Sequence, residues 1–194
     1  MLLIALLVPL AWLLGTFPSA GLVARARGID ITSAGSGNPG ATNVNRLLGW
    51  RAGLLVLVLD FAKGAIAAGV GLAVGGRPGA FALGVAAMVG HIFPLYRKGG
   101  KGIAVGAGVL VVLYPIVVLG LAVVFVVVAR VFHKVSLASL LCTILFPLAV
   151  FATGNYNTWE VVLLGALAVL VIARHSANIR RLLHREEIDM GKSQ

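Results

Sequence analysis

Residues 103–129, IAVGAGVLVVLYPIVVLGLAVVFVVVA, form an apolar run that contains one proline, Pro115. A helix that crosses a membrane needs about 20 apolar residues, so the run is long for one crossing. Proline lacks a backbone donor and interrupts a helix, and Pro115 divides the run into a short piece and a longer one. The number of crossings in the chain depends on whether the chain reverses at this proline.

The amino-acid composition indicates an integral membrane protein. Hydrophobic residues make up 60% of the 194 residues and charged residues only 11%, whereas a soluble domain has about 25% charged residues. The net charge is +10, and the basic residues lie between the apolar runs without interleaved aromatic residues. This pattern favours anionic lipid or an anionic substrate over nucleic acid as the binding partner. The single cysteine, Cys142, excludes an intrachain disulfide. Residues 1–14 lack the charged start of a signal peptide and are predicted to stay as a helix.

Further apolar runs lie on both sides of 103–129, and turns or basic residues separate them. Pro18 can kink the first of these runs, and Gly75-Gly76-Arg77-Pro78 is a predicted turn. The predicted spans outside 103–129 are 1–24, 52–75, 79–95, 137–153 and 159–173.

The distribution of basic residues decides what happens at Pro115. Basic residues collect in cytoplasmic loops, and a single helix over 103–129 would leave a basic segment outside. A reversal near Pro115 instead places 14 of the 16 Lys and Arg residues on the cytoplasmic side, among them Lys192 in the tail. The two others are Arg77, outside, and Lys63, within a span.

The sequence therefore predicts a single, all-α membrane domain over residues 1–194. It has about seven transmembrane helices, with the N-terminus outside and the C-terminus cytoplasmic. The helix over about 103–114 is too short to cross a ~30 Å hydrocarbon core, so it must be half-buried in protein or lie where the bilayer thins.

Three polar, glycine-rich segments fall on the predicted cytoplasmic side. Non-helical backbone near lipid is tolerated where it is buried in protein or lines a wet cavity, so three such segments on one face predict a shared site. They are GSGNPGATNVNR at 35–46, GHIFPLYRKGGKG at 90–102, and RHSANIRR at 174–181, which opens the predicted cytoplasmic tail 175–194.

The first segment has the composition of an anion-binding loop, or of a flexible connection between two helices. Glycines free backbone amides, and hydroxyl, amide and arginine side chains attract anions. The segment is neither a dinucleotide fingerprint, which follows a strand, nor a Walker A loop, which needs Lys-Ser/Thr after its last glycine. Ser36 has no adjacent histidine that would indicate a catalytic triad. The candidate residues are Gly35, Ser36, Gly37, Asn38, Gly40, Thr42, Asn43 and Arg46.

The second segment ends in Gly99-Gly100-Lys101-Gly102, just before a helix that is predicted to start at about Ile103. Free amides at a helix N-terminus and a lysine attract phosphate, and a basic loop held against anionic headgroups is an equal alternative. His91, near a helix end, is expected to be a hydrogen-bonded packing residue rather than a ligand.

The third segment offers His175 and Asn178, which share one helix face. His175 is the best side chain for proton transfer or for hydrogen-bonding a phosphate near neutral pH. An ordinary basic tail would explain the arginines but not this pair. Ser136 is expected to cap a helix, and Ser139, one turn further on, faces the same side.

Ionisable residues inside the spans are few. Asp60 and Lys63, three residues apart, are candidates for function, with a structural ion pair as an equal alternative. No cluster has the spacing of metal ligands, and no pair of carboxylates suited to acid–base catalysis is visible.

These segments, in this order between apolar spans, resemble the PlsY family of bacterial membrane enzymes. The resemblance covers nearly the whole chain, and its four motifs in this order are highly specific together. The family has a seven-helix fold and a site that faces the cytoplasm, which implies the bacterial inner (cytoplasmic) membrane. The resemblance rests on GSGNPGATNVNR, GHIFPLYRKGGKG, VSLAS at 135–139 and RHSANIRRLL at 174–183, with DFAKG at 60–64.

The resemblance implies transfer of a fatty acyl group from acyl phosphate to the sn-1 hydroxyl of glycerol 3-phosphate. The products are lysophosphatidate and phosphate, in the first acylation of phospholipid biosynthesis, with no metal and no other cofactor. Ser36, Arg46, His175 and Asn178 are implied as the catalytic set. The implied substrate-binding residues are Gly35, Gly37, Asn38, Gly40, Thr42, Asn43, Gly99, Gly100, Lys101, Gly102 and Ser139.

Three residues depart from the family pattern. Val105 stands where Thr is usual and removes a hydroxyl after the glycine loop. Arg185 stands where Gly is usual and indicates that the tail glycine is dispensable, and Pro39 also differs. Glu187 keeps the family's acidic position.

A site for two phosphates is expected to be nearly free of carboxylates. The attacking hydroxyl then needs a base, either His175 or the phosphate of the acyl phosphate, and the resemblance favours the substrate. A small membrane permease for an anionic metabolite is the alternative function, because discontinuous helices aimed at an anion would serve it as well. Against it, the polar groups collect on one face and no internal repeat is evident.

Overall fold

The computed structural model of this chain describes residues 2–95 and 97–190, and every regular element in that part is an α-helix. The predicted all-α class is therefore confirmed. Lys192 of the tail lies outside the described residues. The helices are α1 Leu2–Thr16, α2 Ser19–Arg25, α3 Ala41–Leu48, α4 Trp50–Ile92, α5 Ile103–Leu113, α6 Pro115–Phe132, α7 Val135–Thr153, α8 Thr158–Arg174 and α9 Ser176–Leu183.

The apolar helices identify an integral membrane protein. Four helical stretches are long and apolar enough to cross a membrane, and a fifth joins them if α8 and α9, bent by 61°, count as one span. Large apolar side chains such as Ile116 and Val162 are exposed on these helices. Exposed apolar faces of this extent fit lipid rather than water.

The long helix α4 is a hairpin of two arms. Gly75 and Gly76 have non-helical backbone angles, with φ +60° at Gly76, a value that glycine adopts without strain. A Cβ on Gly71 would overlap the carbonyl oxygen of Gly79, although eight residues of a straight helix span about 12 Å. The arms 50–74 and 77–92 therefore pack side by side, as the predicted turn at Gly75–Pro78 requires.

The short helix α5 ends at Leu113 and packs closely on α4. Its 11 residues give a length of about 16 Å, as predicted for the piece before Pro115. A Cβ on Gly64 would overlap the carbonyl of Val105, and a Cβ on Gly108 would overlap that of Phe61. The close backbone approach buries half of a helix that is too short to span a bilayer, and Val105 is completely buried in this contact.

The described residues group into two compact units, one that ends at Leu113 and one that begins at Tyr114. The predicted single domain stays a prediction. The core of the first unit consists largely of small and β-branched residues, which let helices approach each other closely. One cluster contains Ala20, Ala24, Ile31, Val44 and Val56, and a second contains Ala11, Ala67, Leu83 and Ala87.

In the second unit a buried glutamate joins the start of α6 to the start of α8. Glu160 is 0% exposed and accepts a hydrogen bond of 2.6 Å from the hydroxyl of Tyr114. Its carboxylate also accepts from the backbone and side-chain amides of Asn157, at 3.3 and 3.2 Å. The carboxylate thus satisfies the first turn of α8 and fixes the position of Tyr114.

Glu160→Ala is expected to lower the free energy of unfolding by about 3 kcal/mol, because it leaves buried donors without an acceptor. Tyr114→Phe removes one donor and is expected to cost about 1 kcal/mol. Thermal unfolding of the purified variants in one detergent measures both. Equal losses in the two variants would contradict the central role of the carboxylate.

Helix α9 ends in a turn that favours glycine but contains arginine. Arg185 has φ +61°, its amide donates to the carbonyl of Leu182, and the amide of Glu186 donates to the carbonyl of Arg181. This hydrogen-bond pair is the Schellman arrangement, whose left-handed position is usually glycine. The structure thus supplies a physical reason for the family's glycine at this position.

Arg185→Gly is expected to raise the free energy of unfolding by about 1 kcal/mol, because it removes the left-handed strain of a side chain with a Cβ. The matched control is Arg180→Gly, an exposed position inside the same helix, which should lower stability by about 0.5–1 kcal/mol. Thermal unfolding measures both. A loss of stability in Arg185→Gly would mean that the arginine side chain contributes more than its backbone strain costs.

Candidate functional site

The first polar segment folds over the side chain of Asn43. This side chain is 1% exposed, accepts from the backbone amide of Ser36 at 2.9 Å, and donates to the carbonyls of Ala34 and Ile31 at 3.0 and 3.3 Å. Both ends of the amide therefore hold the loop that presents Ser36. A direct contact between Asn43 and substrate stays a prediction.

The basic loop lies beside the first segment within the first unit. A Cβ on Gly37, which has φ +63°, would lie 3.4 Å from Nζ of Lys98 and 2.9 Å from the carbonyl oxygen of Thr32. Asp30 is the only acid in this loop region. Its carboxylate accepts hydrogen bonds from the amide and the hydroxyl of Thr32, and these bonds lower the pKa of the carboxyl. The approach of Lys98 to the first segment was not predicted.

The remaining candidates of the first segment lie around its junction with α3. Gly40 is the residue before the helix, and Asn38, Thr42 and Arg46 are half-buried. Arg46 lies in the last turn of α3. Their predicted contacts with substrate stay predictions.

The glycines of the basic loop allow it to lie directly on the end of the second arm of α4. A Cβ on Gly99 would overlap the carbonyl of Ile92, and one on Gly100 would overlap Nε2 of His91. The amide of Gly100 donates to the carbonyl of His91 at 3.1 Å. Gly102 has φ +87° immediately before α5, and Lys101 is thus held between two glycines at the start of that helix.

Asp60 and Lys63 form an ion pair, one of the two expected alternatives. Nζ of Lys63 lies 2.7 Å from Oδ1 of Asp60, and both side chains are 4% exposed. Nδ1 of His91 lies 3.5 Å from the same Nζ. His91 therefore packs against this pair from the end of the other arm of α4.

In the second unit, His175 lies at the bend between α8 and α9 and is 2% exposed. Its Nδ1 is 2.8 Å from the carbonyl oxygen of Val171. Because a carbonyl can only accept, Nδ1 carries the proton, and Nε2 is the acceptor in the neutral ring. The arrangement fixes the ring and its tautomer in the form that can take a proton or accept a hydrogen bond.

The third segment is organised around Glu187, a residue that was not predicted to belong to the site. This carboxylate is 4% exposed and accepts from Nδ2 of Asn178 at 2.7 Å, from the hydroxyl of Ser136 at 2.8 Å and from Nε of Arg181 at 2.8 Å. Burial raises the pKa of Glu187, but these three hydrogen bonds and the charge of Arg181 outweigh it and lower the pKa overall.

The capping role predicted for Ser136 is therefore wrong. Lys134 is the residue before α7, and the Ser136 hydroxyl donates to Glu187. Asn178 also donates to this carboxylate, and a site nearly free of carboxylates stays a prediction. The family's acidic position was the one sequence signal that pointed to Glu187.

Residues 175–190 fold back onto the turn between α6 and α7. Nζ of Lys134 lies 2.5 Å from Oδ1 of Asp189 and also donates to the carbonyl of Glu187. The amide of Met190 donates to the carbonyl of His133 at 2.7 Å. The described part of the tail is thus an ordered part of the second unit.

Ser139 is buried one turn into α7, and its hydroxyl donates to the carbonyl of Val135 at 2.9 Å. A bond of this kind within a helix leaves the oxygen able to accept. Its predicted contact with substrate stays a prediction, as does the sharing of one site by the three segments. Among residues 2–95 and 97–190, no group of three or more His, Cys, Asp or Glu side chains is arranged to hold a metal.

Fold and side chains together define a class: an all-helical integral membrane protein with ordered polar loops and a buried histidine of fixed tautomer. The family model described as "Glycerol-3-phosphate acyltransferase" matches residues 5–185. A glycerol-3-phosphate acyltransferase of Jannaschia sp. is 42% identical, with 99% of this chain and 95% of the relative covered. One from Bacillus subtilis is 38% identical, with 96% and 97% covered. The chain belongs to the glycerol-3-phosphate acyltransferase family.

Solved structures agree with this assignment. The crystal structure of PlsY (YgiH), an integral membrane glycerol 3-phosphate acyltransferase, in its glycerol 3-phosphate form matches with a TM-score of 0.91 and 36% identity, covering 97% of this chain and 96% of that one. The lysophosphatidic acid form matches with a TM-score of 0.85, also at 36% identity, covering 96% and 94%. The resemblance to the PlsY family is confirmed.

Proposed function

We propose that this protein transfers a fatty acyl group from acyl phosphate to the sn-1 hydroxyl of glycerol 3-phosphate. The observation that carries the proposal is the match of 97% of the chain to a structure of PlsY in its glycerol 3-phosphate form. The four sequence motifs support acyl phosphate as the donor. The products are lysophosphatidate and inorganic phosphate, and no metal or other cofactor takes part.

In the reaction the sn-1 oxygen attacks the carbonyl carbon of the acyl phosphate and forms a tetrahedral oxyanion. The bond from that carbon to the bridging oxygen then breaks, and phosphate leaves with the electron pair. The proton of the hydroxyl passes to the phosphate of the donor, which is adjacent to the reacting carbon, or to Nε2 of His175. Acyl phosphate is already activated, so we favour the phosphate as the base, with His175 as the hydrogen-bond acceptor that orients the hydroxyl.

The positive side chains of the first unit would bind the phosphate groups. Arg46 presents a guanidinium suited to two phosphate oxygens, and Lys101 lies at the N-terminus of α5, where free amides add to its charge. Ser36, held by Asn43, would orient a substrate or donate to the oxyanion. Asn178 would act together with His175 from the adjacent turn of α9.

We also infer seven membrane crossings, with the N-terminus outside and the C-terminus in the cytoplasm of a bacterium. Up to five apolar stretches are long enough to cross a membrane when α4 is counted once. Counting its two arms separately and adding the short α5 gives seven crossings. The basic residues of the loops support a cytoplasmic site. Cysteines introduced at Pro115 and at Lys98 test this topology: labelling of Pro115→Cys from the cytoplasm would contradict it.

Product formation by the purified full-length protein tests the proposed activity. Palmitoyl phosphate and glycerol 3-phosphate should give lysophosphatidate, and palmitoyl-CoA should not replace the donor. Lysophosphatidate formed with palmitoyl-CoA but not with palmitoyl phosphate would contradict acyl phosphate as the donor. No lysophosphatidate with either donor would contradict acyl transfer. Uptake of glycerol 3-phosphate into proteoliposomes without any lipid product would instead support the permease.

A further inference from the structure

The buried ion pair of Asp60 and Lys63 has no role in the proposed chemistry. Both side chains lie within an apolar arm of α4 and are 4% exposed. Removing two charges from water costs several kcal/mol per ion unless other groups satisfy them, and ionisable residues inside membrane helices usually mark a functional requirement. The surroundings of the pair indicate what that requirement is.

Three groups lie around the Lys63 ammonium: the carboxylate of its ion pair and two uncharged acceptors. They are Oδ1 of Asp60 at 2.7 Å, the carbonyl of Phe17 at 2.9 Å and Nδ1 of His91 at 3.5 Å. The Phe17 carbonyl belongs to the break between α1 and α2. Lys63 thus connects the break after α1, the first arm of α4 and the end of its second arm.

Nδ1 of His91 faces both charges of the pair: it lies 3.5 Å from Nζ of Lys63 and 3.9 Å from Oδ1 of Asp60. Because the ammonium is a donor only, a neutral ring that accepts from it through Nδ1 carries its proton on Nε2. A Cβ on Gly100 would lie only 2.1 Å from Nε2. The ring therefore presents an N–H to the glycine loop, while the carbonyl of the same residue accepts from the Gly100 amide at 3.1 Å.

We propose that Asp60, Lys63 and His91 are positioning residues that hold the Gly99–Gly102 loop in the form that binds the phosphate of glycerol 3-phosphate. Asp60 fixes the lysine, the lysine fixes the histidine ring, and the ring fixes the loop that carries Lys101. The inference rests on the proposed function, because it assigns the loop to glycerol 3-phosphate. Because the inference assigns the loop to glycerol 3-phosphate, it predicts a larger effect on this substrate than on the acyl donor.

Two substitutions at His91 separate the ring's two contacts. Gln places an amide N–H near the position of Nε2, whereas Asn reaches only the position of Nδ1. His91→Asn is expected to raise KM for glycerol 3-phosphate about tenfold, the effect of one lost hydrogen bond, with KM for palmitoyl phosphate unchanged. His91→Gln is expected to restore most of the affinity. A role in helix packing alone would change neither KM selectively.

Replacing the ion pair as a whole tests the other end of the chain of contacts. The double variant Asp60→Leu/Lys63→Met substitutes apolar side chains of similar size, which proteins often tolerate when a buried pair is removed together. It should unfold near the temperature of the wild type and still raise KM for glycerol 3-phosphate about tenfold. An unchanged KM in a folded double variant would overturn the proposal.

A third variant tests the contact between the ring and the loop. Gly100→Ala alone should weaken glycerol 3-phosphate binding, because its methyl group collides with the ring. Combined with His91→Asn it should cost less than the sum of the two changes, since the shorter side chain leaves room. Strictly additive effects would contradict a direct coupling.

Calorimetric titration with glycerol 3-phosphate keeps the inference separate from the proposed function. Wild-type turnover decides whether the protein is an acyltransferase. If turnover is absent but glycerol 3-phosphate binds, weaker binding in His91→Asn than in His91→Gln still supports the positioning role, and equal binding overturns it. No binding by the folded wild type would overturn both.

Discussion

His175→Ala is expected to lower kcat by about a hundredfold and to leave measurable turnover. A loss of this size is typical when one hydrogen bond to the reacting groups is removed. The Nδ1 contact with Val171 fixes the ring so that Nε2 is its acceptor. If the donor's phosphate takes the proton, removal of the ring costs orientation but not the base. Single-turnover measurements with both substrates saturating report this loss directly.

His184 provides a matched control in the same part of the chain. Its Nδ1 lies 2.8 Å from the carbonyl of Arg180, four residues earlier, as that of His175 does from Val171, but His184 is exposed. His184→Ala should stay within about twofold of the wild type, as surface changes do. An equal loss in both variants would show that the effect comes from helix structure.

The pH dependence of His175→Ala identifies the base. A phosphate base belongs to the substrate, so the acidic limb of the rate profile should persist in the variant. If turnover persists without this limb, or falls below detection while glycerol 3-phosphate still binds, His175 is the base.

Glu187→Ala is expected to lower the free energy of unfolding by about 3–5 kcal/mol, the cost of breaking a buried, hydrogen-bonded charge pair. Three donors, on Asn178, Ser136 and Arg181, lose their common acceptor. Thermal unfolding in detergent measures the effect. The loss should also reduce activity, because Asn178 is the neighbour of His175 on α9.

The adjacent Glu186 is exposed and provides the control: Glu186→Ala should change stability by less than about 0.5 kcal/mol. Protonation of Glu187 in acid should destabilise the protein, as its removal does. Because the folded state lowers its pKa, the stabilisation is complete above the ordinary value of 4.5 and is lost as the pH falls from there through the lower folded pKa. Glu187→Gln should abolish this dependence, and an unchanged dependence would contradict the role given to Glu187.

Features that local chemistry determines could be predicted from the sequence. The hairpin in α4 follows from Gly75 and Gly76, and the end of α5 follows from Pro115. The spacing of Asp60 and Lys63 on a helix in an apolar span allowed a buried pair. In each case the deciding residues lie within one turn of each other.

Contacts between distant segments could not be predicted in the same way. Ser136 and Glu187 are 51 residues apart, and helix capping was the more general expectation for a serine at a helix start. The approach of Lys98 to Gly37 depends on how two loops fold. The strain at Arg185 is invisible without its backbone angle, although the family's glycine marked the position.

The path of one oxygen atom tests acyl transfer from acyl phosphate most directly. Palmitoyl phosphate labelled with ¹⁸O at the bridging oxygen is supplied with glycerol 3-phosphate to the purified protein, and both products are analysed by mass spectrometry. We predict unlabelled lysophosphatidate and an equal amount of labelled inorganic phosphate, because the bond between the carbonyl carbon and the bridging oxygen breaks. Labelled free palmitate together with a phosphorylated acceptor would contradict the proposed reaction, because it means that the bond to phosphorus breaks. Release of no more phosphate than in the absence of the protein would contradict it as well.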